Sequence, residues 1–432
     1  MRTPENSPRH EEGASRERWI LALAGLLSLL PYIAYHAKFE RLFWFGDEFD
    51  LIDQMDRLGF WRWMWLAFAE NFVPLFKLLW GGSVLAFGGS YSAMVAILWL
   101  THALNVALLG RLMRAAGLSW PAVFFAQLLF GLTSANIETL AWTVQWSAVL
   151  AATFMLLALN CAFRCPRSLA PVGWAAASAL SFSRGVLTGF LAAGALLWPR
   201  EDGARGGFAR SFALAAACVV PSLAVAAIIV VMVPAGNQGH MAGHWGAAAL
   251  FGTWCYCVNP AHHLLDVDSW GPRTTLLLGL LKVALVLWSL ARSSGRTRAL
   301  FLVLLAFDLG NAFLLGIGRY HTGLLASVSS RYQYGSLIAV VPAAGFAFSR
   351  LLGRLTAPGP VRVIGLAALF TGMGWCLCTQ WSEDLEGFTT WRGTESRQIL
   401  IIDPNPEPTA VPGFPGFPTE RAKALIAKYN LH

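Results

Sequence analysis

Long apolar runs separated by short polar segments dominate this sequence. Of its 432 residues, 56% are hydrophobic and only 13% are charged. Many of the runs extend over about 17 to 23 residues, the length with which an α-helix crosses a bilayer. A soluble core is excluded, because so many apolar segments have too few polar residues to face water. The sequence therefore predicts an all-α protein, a polytopic bundle of transmembrane helices in a lipid bilayer.

The basic residues lie in short clusters at the ends of these runs. The clusters are Arg111 and Arg114; Arg164 and Arg167; Arg200, Arg205 and Arg210; Arg292, Arg296 and Arg298; and Arg350, Arg354 and Arg362. Although the net charge is +8, this placement indicates topology signals and no nucleic-acid partner. With about eleven spans, all five clusters fall on one side, which the positive-inside rule makes cytoplasmic.

This topology divides the chain into three parts. Residues 1–18 form a cytoplasmic tail, and residues 19–380 form the transmembrane domain, with outer loops at 38–90 and 234–272. Residues 381–432 form an extracytoplasmic tail that closes with an amphipathic helix, TERAKALIAKY. The run at 246–260 is interpreted as a surface helix, since a further span there would place the following arginines outside. The run at 169–198 is too long for one span and predicts two half-length helices that meet at SFSRG.

The first outer loop is long, acidic and rich in tryptophan. Its carboxylates are Asp47, Glu48, Asp50, Asp53, Asp56 and Glu70. A plain connection between two spans needs no such residues, so the loop suggests a site at the membrane surface. Apolar residues recur at helical spacing from Asp50 to Phe68, which predicts an amphipathic interfacial helix. A second surface or re-entrant helix is predicted from Pro74 to Phe87.

Two of these acids stand where the chain has just left the membrane. Asp47 and Glu48 follow Trp44, Phe45 and Gly46, and an adjacent pair of carboxylates at such a boundary suits a general base or a divalent cation. For Asp53 and Asp56, the favoured interpretation is that of solvated loop charges.

Several motifs in this region resemble a known family. The Asp-Glu pair after the first span, the Trp-bearing helix, the segment NFVPLFKLLW and a second span ending in arginine are similar to the first outer loop of the GT-C membrane glycosyltransferases, which include protein O-mannosyltransferases and the lipid A aminoarabinose transferase. The resemblance implies a GT-C-like fold and a sugar donor on a polyprenyl-phosphate carrier. It also implies a catalytic base, which falls on Asp47 with Glu48 beside it, and it assigns Lys77 to the family's Lys/Arg and Pro-bearing stretch, although the order of residues differs.

A second resemblance lies at the next outer turn. SANIETLAWTVQW is similar to an outer turn of bacterial membrane proteins grouped with the same superfamily, and this resemblance makes Glu138 a candidate substrate- or phosphate-binding residue. Together the two resemblances imply a multi-pass protein of the bacterial inner membrane, with an extracytoplasmic active face.

Another outer segment, GIGRYHTGLLASVSSRYQYG, contains two Arg-Tyr pairs. They are Arg319 with Tyr320 and Arg331 with Tyr332. Guanidinium groups suit a phosphate, and tyrosine rings suit a sugar face, although both residue types also anchor helix ends at interfaces. Positive charge on the outer side opposes the positive-inside trend, which favours an anionic ligand. Arg184, at the break between the two half-length helices, is predicted at the same site.

Two further sets of polar residues allow alternative interpretations. The loop 234–272 contains His240, His244, His262, His263, Asp266 and Asp268, for which ordinary loop residues are favoured over a structural metal site. Within the spans, Lys282 and Asp308 predict an ion pair between neighbouring helices, and the alternative is an ion relay of the transporter kind.

The function favoured by these patterns is an inverting membrane glycosyltransferase. Asp47 would deprotonate the acceptor, while Arg319, Arg331 or Arg184 stabilises the departing lipid phosphate. The alternatives are a transporter or flippase for a lipid-linked or anionic solute, and a non-catalytic protein of an envelope assembly.

Overall fold

The chain is almost entirely helical over the residues that the structure describes. The structure is a computed structural model, and it describes residues 8–199, 208–232, 244–260, 271–354, 359–398, 410–411 and 414–432. The α-helices are α1 (Pro8–Leu27), α2 (Leu30–Ala34), α3 (His36–Phe39), α4 (Asp47–Leu58), α5 (Phe60–Met64), α6 (Pro74–Ala86), α7 (Tyr91–Ala115), α8 (Trp120–Leu132), α9 (Ile137–Ala141), α10 (Trp146–Arg164), α11 (Ala170–Ala179), α12 (Leu187–Leu197), α13 (Phe208–Met232), α14 (Trp245–Val258), α15 (Gly271–Arg292), α16 (Gly295–Arg319), α17 (Gln333–Leu352), α18 (Gly359–Thr389), α19 (Glu395–Arg397) and α20 (Thr419–Tyr429). Two short strands, β1 (Ala410–Val411) and β2 (Phe414–Pro418), pair antiparallel.

Seven segments among the described residues are long and apolar enough to cross a membrane. They are Glu17–Ala34, Tyr91–Ala115, Thr143–Arg164, Ala209–Met232, Gly295–Thr322, Ser330–Leu352 and Gly359–Thr389. Trp120–Leu132 with Ser134–Ala141, a pair bent by 50°, adds an eighth if it is counted as one span. The multi-pass helical class agrees with the sequence, and the count of about eleven spans stays a prediction.

The basic ends of the helices gather at one end of the bundle. Glu17 of α1 lies 3.6 Å from the Arg114 side chain and 3.8 Å from that of Arg164. Arg210 donates to the backbone of Arg167 on the same side. Three of the clusters predicted to be cytoplasmic therefore meet in space through Arg114, Arg164 and Arg210, although they are far apart in the chain. The helix that contains Glu17 begins at Pro8, inside the segment predicted as a free tail.

The predicted break in residues 169–198 is present. Helices α11 and α12 are separated by a 3₁₀ turn, Ser183–Val186. Gly185 allows this turn to pack closely on α11, because a Cβ atom there would clash with the carbonyl oxygen of Ser178. The turn therefore has a fixed place in the bundle, and Arg184 lies within it.

The first outer loop differs from the predicted interfacial helix. Helix α4 begins at Asp47 and ends at Leu58, and Gly59, with φ of 75°, breaks it from α5. A continuous helix over 50–68 is therefore wrong, since the left-handed conformation of Gly59 ends the helical hydrogen bonding. Helix α4 also buries Phe49, Leu51 and Ile52, so it packs within the protein.

The closing helix α20 docks on α4. Arg421 forms ion pairs of 2.5 Å with Asp53 and 2.7 Å with Asp56, and the Tyr429 hydroxyl donates to Asp56 over 2.9 Å. The Lys428 ammonium also contacts Asp56. Asp53 and Asp56 are therefore partnered charges, and the interpretation as solvated loop charges is wrong. Burial raises the pKa of Asp56, but these contacts outweigh it and lower the pKa to about 2.

The run at 246–260 forms helix α14, which packs along α16. Small residues bring the two backbones together, since a Cβ atom on Gly252 would lie 2.8 Å from the Ala312 carbonyl oxygen. Phe251 and Cys255 are buried in this contact, whereas Trp245 is 62% exposed. Of the histidines in the second outer loop, His244 is within the described residues, and His240, His262 and His263, like Asp266 and Asp268, lie outside them.

The predicted ion pair between Lys282 and Asp308 is present, with 2.7 Å between the ammonium and the carboxylate. The Lys282 ammonium also donates to the carbonyl oxygens of Tyr256 and Asn259 at 2.7 and 2.6 Å and to the Ser336 hydroxyl at 3.0 Å. Both charges are buried. A buried ammonium with this many acceptors is a structural element that holds α14, α15, α16 and α17 together.

Candidate active site

A cavity of about 450 Å³ opens at the end of the bundle opposite the basic helix ends. It is bounded by the start of α4, the turn at 68–71, the start of α10, the turn Ser183–Val186, the end of α16 and the segment Thr390–Thr394. Asp47, Arg184, Arg319, Arg331 and Tyr332 all line it. The fold thus brings together predicted site residues that are up to 285 positions apart in the sequence.

Asp47 is the first residue of α4 and faces this cavity. Gly46, in front of it, has φ of 56°, and this bend aims the start of the helix at the cavity. Asp47 is half-buried, and no hydrogen bond or ion pair holds its carboxylate among the described residues. Burial raises the pKa of Asp47, and the charges of Arg331, Arg319 and Arg392 oppose that rise. A carboxylate in this state is available to accept a proton.

Arg184 is a buried cation without a carboxylate partner among the described residues. It is 6% exposed, its Nη2 donates to the carbonyl oxygen of Ala148 over 3.3 Å, and its guanidinium lies 5.4 Å from the centre of the Phe182 ring. Gly335 on α17 leaves room for it, since a Cβ atom there would lie 3.0 Å from Nη1. A buried charge without a counterion is costly. Arg184 is therefore suited to an anionic ligand.

Arg319 at the end of α16 is paired across the cavity. Its guanidinium lies 2.6 Å from the carboxylate of Glu70 in the turn at 68–71. Ala69 in that turn has φ of 47°, an uncommon conformation for a residue with a Cβ atom. The Asn71 side chain accepts a hydrogen bond of 3.3 Å from the backbone of Ser183. The turn therefore links Arg319 to the segment that carries Arg184.

Glu138 holds two further arginines beside the cavity. Its carboxylate lies 3.3 Å from the Arg331 guanidinium and 3.2 Å from that of Arg392. It also accepts a hydrogen bond of 2.7 Å from the Ser329 hydroxyl. The Arg392 guanidinium also stacks 4.2 Å from the Trp142 ring. Glu138 thus acts as an anchor behind the cavity wall. Arg392 was not predicted, because it lies in a segment interpreted as a tail.

Glu48 lies below the cavity, contrary to its assignment as a second catalytic acid. It is fully buried. One carboxylate oxygen accepts from the backbone of Phe45 over 2.8 Å, and the other accepts from the backbone and hydroxyl of Thr143 and from the hydroxyl of Tyr91. Burial raises the pKa of Glu48 to about 7, against the lowering effect of these hydrogen bonds. The side chain is an internal anchor for the start of α4.

The remaining predicted residues divide between the cavity and the interior. Tyr332 lines the cavity beside Arg331. Tyr320 does not line it, and its ring lies 5.5 Å from that of His244. Lys77 is fully buried, away from the cavity lining, and its ammonium donates to the backbone oxygen of Trp63 over 3.1 Å. Neither Lys77 nor Tyr320 therefore shares the cavity with Asp47, and Lys77 braces α6 against α5.

The predicted option of a divalent cation at Asp47 and Glu48 does not fit the geometry. The two side chains diverge, since Asp47 faces the cavity while the Glu48 carboxylate is occupied by four donors in the interior. Within the described ranges, no three His, Cys, Asp or Glu side chains lie close enough to share a metal ion.

No protein-family model and no curated protein matches the sequence. Among solved structures, the chain is similar to the archaeal oligosaccharyltransferase AglB from Archaeoglobus fulgidus, determined in complex with an inhibitory peptide and a dolichol-phosphate. The TM-score is 0.48 at 12% sequence identity, and the match covers 93% of this chain and 61% of that one. The chain thus spans about three fifths of the length of AglB. A likeness at this level supports no conclusion about chemistry. The chemistry is inferred from the side chains that line the cavity.

Proposed function

We propose that the chain is a membrane glycosyltransferase that moves a sugar from a polyprenyl-phosphate carrier to an extracytoplasmic acceptor. One observation carries the proposal: Asp47 without a cation partner and Arg184 without a carboxylate partner, among the described residues, line the same cavity. A free carboxylate and a buried guanidinium are the groups needed for a base and for an anionic leaving group. The resemblance of the first outer loop to the GT-C glycosyltransferases agrees with this pairing.

In the proposed reaction, the acceptor hydroxyl attacks the anomeric carbon of the sugar. A bond forms from the acceptor oxygen to that carbon as the bond from the carbon to the phosphate oxygen breaks, so the anomeric configuration is inverted. Asp47 takes the proton of the hydroxyl, and the bonding pair leaves with the lipid phosphate. Arg184 then stabilises the charge on that phosphate, with Arg319 and Arg331 nearby.

The surroundings of the cavity suit an amphipathic donor. Leu314 and Leu315 of α16 line the cavity, and α16 lies within a candidate span, so a lipid tail reaches the site along an apolar wall. Phe182 and Trp142 offer aromatic faces for a sugar ring. The basic helix ends lie at the opposite end of the bundle, which supports a cytoplasmic basic end and an extracytoplasmic site.

The transporter hypothesis gains no comparable support. It relied on Lys282 and Asp308 as groups that exchange ions, but each is fixed by the other, and Lys282 has three further acceptors. An ion pair held by this many contacts stabilises the packing of the helices and is poorly suited to the exchange of ions during transport.

The test is a transfer assay on the purified full chain with Asp47→Asn. We expect turnover from a short-chain polyprenyl-phosphate sugar to fall by about 10² to 10⁴, the usual contribution of a general base, while donor binding is kept. Asp50→Asn is the matched control, because Asp50 is on the same helix and its partner is Gln54, 2.7 Å away. If Asp47→Asn keeps the turnover of the wild type, the proposed base is refuted, and if the wild type in vesicles moves the polyprenyl-phosphate sugar across the bilayer without transferring it, the transporter hypothesis replaces this one.

A further inference from the structure

One face of α16 forms a wall of the cavity. The residues of α16 that line the cavity follow one another at helical spacing: Asn311, Leu314, Leu315, Gly318 and Arg319. Arg319 ends the helix at the open side of the cavity. Asn311 lies eight residues earlier in the chain, which is about 12 Å along the helix axis. Asn311 is therefore the polar group of α16 at the deep end of the cavity.

The side chain of Asn311 is buried and unpaired among the described residues. It is 4% exposed, and neither polar atom of its carboxamide makes a hydrogen bond within the described part of the chain. Both atoms nevertheless remain open to the cavity. Buried amide groups are almost always hydrogen-bonded, because an unpaired one is costly. An unpaired amide that faces a cavity is therefore suited to a ligand.

Asn311 lies beside Arg184. A Cβ atom on Gly335 would lie 3.0 Å from Nη1 of Arg184 and 3.4 Å from Nδ2 of Asn311. The missing side chain at Gly335 therefore lets the guanidinium and the carboxamide lie next to each other. A ligand whose phosphate binds Arg184 has its next polar group within reach of Asn311.

The chemistry of the carboxamide restricts what that group is. An amide side chain has an acceptor oxygen and a donor NH₂ group, whereas an ionised phosphodiester has acceptors alone. A phosphate at Asn311 would therefore leave the carboxamide oxygen facing an anion. A hydroxyl or an acylamino group has both a donor and an acceptor, so it satisfies both atoms of the amide. Asn311 thus suits a substituent of a sugar and not the phosphate itself.

We infer that Asn311 binds the substituent at C2 of the donor sugar and helps to determine which sugar is transferred. The inference rests on the proposed function, in which the phosphate on C1 binds Arg184. C2 is the ring carbon next to C1, so its hydroxyl or acylamino group is the substituent with a hydrogen-bond donor that lies closest to that phosphate. Hydrogen bonds at C2 strengthen as positive charge develops at the anomeric carbon. The contact therefore contributes to turnover as well as to binding.

The test compares donors that differ at one carbon. Short-chain polyprenyl phosphates of glucose, mannose and N-acetylglucosamine are assayed for transfer by the full chain, and the donor with the highest kcat/KM is chosen. Its kcat/KM is then divided by that of the same donor without the C2 substituent. In Asn311→Leu this ratio should fall by about tenfold or more, because the lost hydrogen bonds form only with the complete donor. The corresponding ratio for the donor without the C6 hydroxyl should stay unchanged.

Asn160→Leu is the matched control. Asn160 is also 4% exposed, but it does not line the cavity, and its Nδ2 donates to the carbonyl oxygens of Leu108 and Leu156 over 3.0 and 2.8 Å. Asn160→Leu should lower the unfolding midpoint and leave the C2 ratio unchanged. Asn311→Leu should keep the midpoint, since it removes an amide that has no partner. Asn311→Ala gives the same comparison of donors if the leucine variant does not fold.

The outcomes separate the inference from the proposed function. If Asn311→Leu leaves the C2 ratio unchanged, the inference is overturned, while transfer by the wild type leaves the proposed function standing. If the variant changes the C6 ratio instead, Asn311 contacts another part of the sugar and the inference is again overturned. If the wild type transfers none of the three sugars, the proposed function fails and the inference fails with it.

Discussion

Glu48 anchors the chain that leads to Asp47, the proposed catalytic base, and replacement of Glu48 by glutamine tests that role. Glu48 and glutamine have the same size, but glutamine has one acceptor and one NH₂ group. In the wild type, Glu48 accepts a hydrogen bond of 2.8 Å from the backbone N–H of Phe45. In the variant, the amide oxygen stays towards Thr143 and Tyr91, so the NH₂ group faces that N–H. Two donors then face each other two residues before Asp47.

The expected magnitude follows from two opposing terms. Loss of the hydrogen bond and an unsatisfied buried N–H cost about 1–3 kcal/mol. The raised pKa of Glu48, about 7 against an ordinary 4.5, means that ionising it in the folded protein costs about 3 kcal/mol, which a neutral glutamine avoids. The terms nearly cancel, so the stability of Glu48→Gln should change little at neutral pH.

The expected loss of catalytic rate in Glu48→Gln has no opposing term. The repulsion at Phe45 shifts the chain that leads through Gly46 to Asp47, and a displacement of about 1 Å costs about 100-fold in rate. We expect kcat to fall by about that factor with KM for the donor nearly unchanged, because the arginines are not moved. The measurement is steady-state transfer kinetics beside thermal unfolding in detergent, with Asp50→Asn as the control. Equal kcat values for the two variants would refute a positioning role for Glu48.

Three other predictions follow from the structure. Because the pKa of Glu48 is raised on folding, its contribution to stability is present at low pH and lost as pH rises from about 4.5 to about 7. Denaturant unfolding of the wild type should therefore show a free energy of unfolding that declines across this range, and Glu48→Gln should lack that decline. Arg421→Met removes the partly exposed ion pairs to Asp53 and Asp56 and should lower the stability by about 1 kcal/mol, seen as a lower unfolding midpoint, and an unchanged midpoint would show that these two ion pairs do not hold α20 on α4. Asp308→Asn leaves the buried charge of Lys282 unpaired and should cost about 3–5 kcal/mol, with loss of folded yield, while the molecules that do fold keep the turnover of the wild type in the transfer assay.

The order of apolar and polar segments specified the secondary structure of much of this chain. The break at SFSRG, the closing helix over 419–429 and the pairing of Lys282 with Asp308 were all predicted and are present. These features depend on local periodicity, or on the strong cost of a lone charge within a span, and both are visible in the sequence. The apolar spacing from Asp50 to Phe68 continues past Gly59 and does not reveal its left-handed conformation, so one predicted helix is two in the structure.

The sequence by itself determined that the chain is a helical membrane protein and that Asp47, Arg184, Arg319 and Arg331 merit attention. The tertiary structure alone decided which polar residues share a cavity. Arg392 reaches Glu138 from 254 positions away, and Glu48 and Lys77 turn to the interior while their neighbour Asp47 does not. The physical reason is that burial and pairing of a charge depend on what the rest of the chain packs against it, and an adjacent pair in sequence has no means of encoding that contact locally.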